Sequence, residues 1–289
     1  MTDRVLVTGV GGPAGRAAAA FFQSKGAEVV GADMRRVETL VDRFHLLPPA
    51  LDAAFAAALL TLVAAERARL LVPTVTEELP GVARLRPEVL RRGCALIISD
   101  PEAADVANDK LRTAEACARA GLAAPRTLPA SASREEVLAL GLPLLSKPRF
   151  GRGGRGVRVH RHPADLSSAG PGEVVWQEFV PGEEFDLNLF VGPEGAIEAN
   201  CCLRKTALKE GLVGNAISVE RAERPEVVAL GVAVASAIRL VGPLDMDVRL
   251  RADGTPALLE VNARLGANAL SAPEVLESFH DAWRRGRCD

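Results

Sequence analysis

Tyrosine is absent from this chain, and two tryptophans and nine phenylalanines carry its aromatic rings. A protein so poor in aromatic faces has little with which to stack nucleobases. A net charge of −2 gives no electrostatic case for nucleic acid or an acidic membrane surface. Long apolar runs are missing too, and none approaches the ~20 residues of a membrane span. The first strand-like segment begins at Arg4, which leaves no room for a signal peptide, so a cytoplasmic location is expected. Sulfur and imidazole are scarce. Cys94, Cys117, Cys201, Cys202 and Cys288 are odd in number and lack zinc-type spacing. They read as buried or incidental thiols in a reducing compartment, with adjacent Cys201 and Cys202 on opposite faces of a strand. The four histidines form no H-E-x-x-H or similar cluster, which argues against a zinc enzyme.

What remains is a globular composition, 48% apolar and 25% charged, and 289 residues are enough for one large or two to three smaller domains. The first hundred residues alternate short aliphatic runs with helical stretches. "RVLVTG", "AEVVGAD", "RLLVPT" and "CALIIS" read as strands, and "GPAGRAAAAFFQSKG" and the alanine-rich stretch over 53–65 read as helices. Asp100-Pro101-Glu102 is a helix start with a capping Asp. That alternation predicts a parallel sheet covered by helices. From Asn108 the pattern changes. A helix ends at Gly121, Ser133-x-x-Glu136 is a capping box, and "LPLLSKP", "GVRVH", "EVVWQEFV", "EEFDLNLFV" and "IEANCCL" read as strands. Helices are expected after Pro225 and after Pro273.

Three segments carry candidate chemistry. "VTGVGGPAG" follows a strand and opens a helix, and Gly9, Gly11 and Ala14 fit a permissive dinucleotide fingerprint with Asp33 as the ribose acid. The same glycines equally suit any tight strand-to-helix turn. "SKPRFGRGGRGV" places Lys147 at a strand end before Gly151, Gly153, Gly154 and Gly156, with Arg149, Arg152 and Arg155 among them. No Gly-Lys-Ser/Thr closes it, so it is not a Walker A loop, but free backbone N–H groups and cations suit a phosphate cradle.

The third segment is "DMDVRLRADGTPALLEVN". Asp253-Gly254 predicts a two-residue type I′ hairpin tip. Pairing outward from it sets Asp247 opposite Glu260 and Asp245 opposite Asn262, with Met246, Val248, Leu250, Ala257, Leu259 and Val261 on the other face. Like charges directly opposite repel. A cluster of hard oxygen ligands suits Mg²⁺, which takes its remaining ligands from phosphate and water; Arg249 and Arg251, on the same face, allow a solvated polar face instead.

In order along the chain, "NDK" at Asn108–Lys110, the lysine with its glycine loop, "WQEFVPGEEFDLNLFV" and "LLEVNARLG" resemble the ATP-grasp superfamily. The likeness is nearest to carbamoyl-phosphate-synthase-like ligases, and more distant to D-alanine–D-alanine ligase and biotin carboxylase. It covers nearly the whole chain. The resemblance implies an α/β N-terminal Rossmann-like (pre-ATP-grasp) domain over 1–107, followed by an α+β ATP-grasp fold. The latter divides into a central and lid subdomain over 108–178 and a C-terminal subdomain with the metal site over 179–289. It implies that Lys110 and Lys147 contact phosphates, Gly153 and Gly154 close over them, and Glu178, Phe179 and Val180 form the adenine hinge. Glu184 would hold the ribose, with Glu183 the lesser candidate. Asp247, Glu260 and Asn262 would be the magnesium ligands, and Arg264 would steady the transferring phosphate. Arg204, Lys205 and Lys209 lie where relatives engage phosphate or acceptor, and Asp245 is left without a role. The implied cofactors are ATP and Mg²⁺, with Mn²⁺ an alternative ion. The implied reaction joins a small carboxylate and an amine through an acyl phosphate, in a chain that a homodimer would also suit. Two other readings stay open: a nicotinamide-dependent oxidoreductase using the N-terminal glycines, and a non-catalytic nucleotide-binding protein.

Overall fold

The computed structural model describes residues 2–151, 153–168, 173–208 and 216–287. Its first body runs β1 (Arg4–Thr8), α1 (Pro13–Ser24), β2 (Glu28–Asp33), β3 (Arg43–Leu46), α2 (Phe55–Glu66) and β4 (Leu70–Val72). A 3-10 turn at Thr76–Glu78 then leads into α3 (Leu79–Arg84), α4 (Arg86–Arg91) and α5 (Pro101–Asn108). The four strands are parallel in the order β3-β2-β1-β4. Successive residues of β1 feed opposite faces: Val5 and Val7 pack with Phe21 and Phe22 of α1, while Leu6 packs with Leu59 and Val63 of α2. Because β1 is flanked by β2 on one side and β4 on the other, a crevice opens beyond the carboxyl ends of these strands.

The second body holds α6 (Lys110–Arg119), β5 (Thr127–Pro129), α7 (Arg134–Leu138), β6 (Leu144–Pro148), β7 (Arg158–His160) and β8 (Val174–Glu178). Its antiparallel sheet has the order β5-β8-β6-β7 and a small core of its own around Val137, Leu140, Leu144 and Trp176. The Ser133–Glu136 capping box opens α7 as expected. The third body is a five-stranded antiparallel sheet, β11-β10-β9-β12-β13, built from β9 (Glu184–Val191), β10 (Ile197–Leu208), β11 (Ala216–Arg221), β12 (Gly242–Leu250) and β13 (Pro256–Asn262). Helix α8 (Pro225–Ile238) and helix α9 (Pro273–Arg284) pack against it. Every residue of central β9 is buried. The apolar side chains of this sheet join the same two clusters as the first body, and Cys201 and Cys202 fall into different clusters, as their alternation required.

Four expectations need correction. "CALIIS" makes a single bridge, Leu70 to Ala95, and no strand. Its hydrogen bonds change partner midway, from the Arg69–Leu71 backbone to Val241 through Ser99 Oγ, so no continuous ladder forms. Asp100 occupies the N-cap position of α5, but its side chain makes no capping bond. Strands β3 and β11 were not foreseen.

The hairpin tip also differs. Leu250 pairs with Pro256, leaving a longer tip, because Asp253 Oδ1 accepts both the Thr255 N–H (3.0 Å) and its hydroxyl (2.7 Å) while Gly254 takes a φ of +84°. A bulge at Leu259, between Val248–Leu258 and Asp247–Glu260, then restores the expected pairing below it. The two one-residue departures cancel, so Asp247 does face Glu260, and Asp245 does face Asn262. The bulge turns Leu259 into the cleft and gives its expected core place to Leu258.

Glycine is required where α1 leaves β1. A Cβ at Gly15 would lie 2.3 Å from the Gly9 carbonyl oxygen. Gly15→Ala should lower stability by about 1–3 kcal/mol through backbone displacement. The check is a lower urea midpoint at unchanged slope; an unaltered midpoint would mean the turn yields freely.

Candidate active site

A cleft of about 430 Å³ runs between the three bodies. On the side of the second body, Gly151, Gly153, Gly154 and Gly156 all hold positive φ (124°, 69°, 71° and 74°), a path closed to most other residues. The loop is fastened by Asp109, which the sequence reading passed over. Asp109 caps α6 by accepting from Leu111 N (3.0 Å) and Arg112 N (3.3 Å), and it takes Arg149 in a two-pronged ion pair (2.9 and 2.7 Å). Burial alone would raise the Asp109 carboxyl, but Arg149 and the capping N–H groups hold it below the usual range. This clamp ties the start of α6 to the end of β6, and so sets Lys110 and Lys147 in one cleft. Lys110 Nζ donates to the Gly151 carbonyl (2.8 Å) and lies 3.6 Å from Glu260. Lys147 is buried, and burial pulls its ammonium down to about 8 against the attraction of Glu260, with Lys110 adding to the fall.

Of the residues expected to form a hinge, Glu178 and Val180 line the cleft. The Phe179 ring instead lies against the Arg249 guanidinium, 5.7 Å away. Glu178 is held by Arg251 (2.7 Å), and Arg249 donates to the Val180 carbonyl (3.2 Å). Glu184 points into the cleft with both oxygens engaged, by Lys205 (2.7 Å) and Arg249 (2.7 Å). Glu183 faces away, paired with Arg204 and Arg224. Alternation on β10 separates Arg204 from Lys205: Arg204 joins Glu183 and Glu220 outside, while Lys205 bridges Glu184 and Asp247 (2.6 Å) inside. Burial opposes the Lys205 charge, but Asp247 and Glu184 outweigh it and raise the ammonium above its ordinary value. Lys209, Arg152 and Cys288 lie outside the described residues.

The hairpin brings Asp245, Asp247, Glu260 and Asn262 to the cleft. β9 adds Asp186 opposite Asp247 and Asn188 opposite Asp245. Asp186 accepts from Asn188 (2.7 Å) and from Asn268 (2.7 Å), while Asp245 accepts from Arg264 (3.2 Å). That bond supplies the partner Asp245 lacked. Burial raises the carboxyls of Asp186 and Asp245, and the adjacent acids, Asp247 for the first and Asp186 for the second, add to the rise. Arg264 also reaches the first body: its Nε donates to Thr76 Oγ (3.1 Å), which in turn donates to Asn262 Oδ1 (3.2 Å). Among the described residues no three Asp, Glu, His or Cys form a self-sufficient metal cage. The donor set of two carboxylates and an amide fits an ion that draws its other ligands from phosphate and water.

The sequence reading missed Asp186, Asn188, Asn268, Thr76 and Glu78. A readable signal existed for the first two, because Glu184, Asp186 and Asn188 alternate with Phe185, Leu187 and Leu189 in a strand. The others reach the cleft from distant loops. At the N-terminal glycines the Asp33 carboxylate accepts the Gly11 N–H (3.0 Å), and a Cβ at Gly11 would meet Val37 and Asp33. That N–H is thus already bound to an anion, while no side chain caps the first turn of α1.

Fold and cleft together define an α/β body joined to two antiparallel lobes that enclose a lysine- and carboxylate-lined cavity. The model of the ATP-grasp domain matches residues 107–268, more than half of the chain, and the chain belongs to the ATP-grasp family. Similar solved structures include L-amino acid ligase from Bacillus licheniformis (18% identity, TM-score 0.71, covering 93% of this chain and 68% of that one). Another is the biotin carboxylase–βγ-ATP complex from Campylobacter jejuni (15%, 0.73, 98% and 71%). A third is the biotin carboxylase domain dimer of Hydrogenobacter thermophilus 2-oxoglutarate carboxylase, in complex with MgADP, ADP and bicarbonate (15%, 0.71, 97% and 70%). At these identities the likeness is one of fold. None of the curated proteins matches the sequence. No helix among the described residues is long and apolar enough to cross a membrane.

Glu78 carries a pH signature. Burial pushes its carboxyl from the ordinary 4.5 up to about 7, against hydrogen bonds from Thr8, Val75 and Thr74 and with the Asp33 charge adding to the rise. Between those two values the folded chain holds a proton that the unfolded chain has released, so this group's contribution to stability falls as pH rises from 4.5 to about 7. Glu78→Gln should therefore gain on the wild type by about 3 kcal/mol between pH 4.5 and pH 8. Urea unfolding of both proteins at each pH reads the difference, and a pH-independent gap would show that Glu78 titrates normally.

Proposed function

We propose that the protein is an ATP- and Mg²⁺-dependent carboxylate–amine ligase that releases ADP and forms an amide through an acyl phosphate. The observation that carries this reading is the convergence of Lys110, Lys147 and the glycine loop on Asp247, Glu260, Asn262 and Arg264 across one cleft. The L-amino acid ligase among the similar structures supports the reaction class. In this reading the first body is a Rossmann-like pre-ATP-grasp domain over 1–107, and the lid and C-terminal subdomains divide at 178/179.

Lys110, Lys147 and the N–H groups of Gly153 and Gly154 bind the phosphates, because charge on phosphoryl oxygens is met by fixed cations and dipoles in a cleft poor in water. The hinge from Glu178 to Val180 receives the adenine edge, and Glu184 the ribose hydroxyls. Asp247, Glu260 and Asn262 would hold Mg²⁺, which when bound neutralises phosphate charge and fixes the transferring group. Arg264, braced by Asp245 and Thr76, faces the phosphoryl acceptor. No side-chain nucleophile is required, since the substrate carboxylate attacks the γ-phosphate and the amine displaces phosphate from the resulting mixed anhydride.

The test is an ADP-release screen over amino acids and small acids, with mass spectrometry of products. Glu260→Gln combined with Asp247→Asn should cut turnover by about a hundredfold or more, and activity surviving both changes would remove the metal assignment. Thermal shift should show stabilisation by ATP with Mg²⁺; stabilisation by NAD(P)H alone would replace the ligase by an oxidoreductase.

A further inference from the structure

Glu78 stands apart from the groups assigned above. The residue is 3% exposed, and it lines the crevice at the ends of β1 and β4. One oxygen, Oε1, accepts all three of its hydrogen bonds, from the Thr8 hydroxyl, Thr74 N (3.1 Å) and Val75 N (3.1 Å). The other, Oε2, has no partner among the described residues. It is not an atom sealed from solvent either, so its open lone pairs are available to the cleft. A carboxylate anchored through one oxygen with the second left open is built to receive a donor from outside the chain. Asp186 differs in that each of its oxygens already accepts an amide N–H, from Asn188 and from Asn268.

The turn that carries Glu78 also carries Thr76, whose hydroxyl touches both Asn262 and Arg264. Three residues of backbone thus join an open carboxylate to the residues that face the phosphoryl group. The charged neighbour acting on Glu78 is Asp33, and Arg35 and Arg264 line the same cleft. Nearby walls of the crevice include Val37, Leu47 and Phe55.

Resting on the ligase reading, we propose that Glu78 is the amine-site residue: it binds the acceptor substrate as a primary ammonium bearing an apolar side chain, and takes the proton that frees its lone pair. The step balances. R–NH₃⁺ and the Glu78 carboxylate give R–NH₂ and the carboxylic acid, and the nitrogen lone pair attacks the acyl carbon. The C–N bond forms, the C–O bond to phosphate breaks, and phosphate leaves with the electron pair and the second amine proton as HPO₄²⁻. Glu78 then returns its proton to solvent. Its raised proton affinity suits transfer near neutral pH.

Hydroxylamine separates this step from the preceding one, because it is largely unprotonated at neutral pH and traps an acyl phosphate without needing a base. Glu78→Gln keeps an acceptor at Oε1 for Thr8, Thr74 and Val75, so the turn is preserved. Stabilisation by ATP with Mg²⁺ should match the wild type. With the acid found in the screen, the variant should still form hydroxamate, while amide formation from L-leucinamide falls about a hundredfold. A parallel fall in both products, or in neither, overturns the proposal. If the wild type forms neither ADP nor hydroxamate with any acid, the ligase reading fails and takes this inference with it. A binding measurement on the wild type stands apart from turnover and from the variant's folding. L-leucinamide should raise the melting temperature in the presence of ATP with Mg²⁺, and 4-methylpentanamide, which lacks the ammonium, should not. Equal effects of the two would also overturn the assignment.

Discussion

Asp247 and Glu260 stand opposite each other on paired strands, with Asp186 on the next strand and Asp245 two residues along. Four acids at that spacing repel, and a buried charge without a partner is costly. The rest of the cleft is arranged around relieving that repulsion. β10 lies beside β9, and from there Lys205 reaches Asp247 and Glu184. α6 starts where Lys110 can approach Glu260, and the loop after β13 returns Arg264 to Asp245. Asp186 and Asp245 take a second route, since burial and their acidic neighbours favour the protonated form. Sheet order, the start of α6 and the loop after β13 each deliver one counter-charge from the second and third bodies, and Arg264 extends the link to the first body through Thr76.

How much of this can be read from sequence depends on the range of the interaction. Strand and helix positions followed from period-2 and helical patterning, and the capping box at Ser133 from local side-chain chemistry alone. The hairpin shows the limit of local rules. Asp253-Gly254 marks the tip, yet the Asp253 side chain prefers Thr255, and a bulge at Leu259 is needed to recover the pairing. The recovered pairing depends on packing, because Leu258 must reach the core while Leu259 and Glu260 both turn to the cleft. The polar comb Glu184, Asp186, Asn188 was legible and went unread. Thr76, Glu78 and Asn268 were not legible, since their places depend on loops brought together by the whole fold.

The glycine loop illustrates the same dependence. Four glycines at positive φ leave the loop with little side-chain packing of its own, and its sheet has a core of few residues. Position must then come from its ends. Arg149, immediately after β6, is gripped by Asp109 and Glu173, and Lys110 N donates to the Arg149 carbonyl (3.2 Å). The conformational freedom of the glycines is thereby confined between a fixed entry and the β7 return. "NDK" acts as a unit: its Asp secures the loop, and its Lys enters the cleft.

The N-terminal glycine turn changes meaning once its neighbours are known. Its spacing matches a dinucleotide fingerprint, but the decisive quantity is which N–H groups remain available, and spacing does not report that. Asp33 takes the Gly11 N–H, and Gly15 supplies the close helix–strand contact. With the Gly11 N–H met from within, the crevice beyond β1 and β4 keeps its usual place for a ligand but does not offer that donor. What it presents instead is an anchored carboxylate, Glu78, on the turn that touches Arg264 through Thr76. A parallel α/β body here forms one wall of a cleft whose lysines and glycine loop belong to the other two bodies. The acids that the first body brings to this cleft, Asp33 and Glu78, stand in the same walls as Lys110 and Lys147.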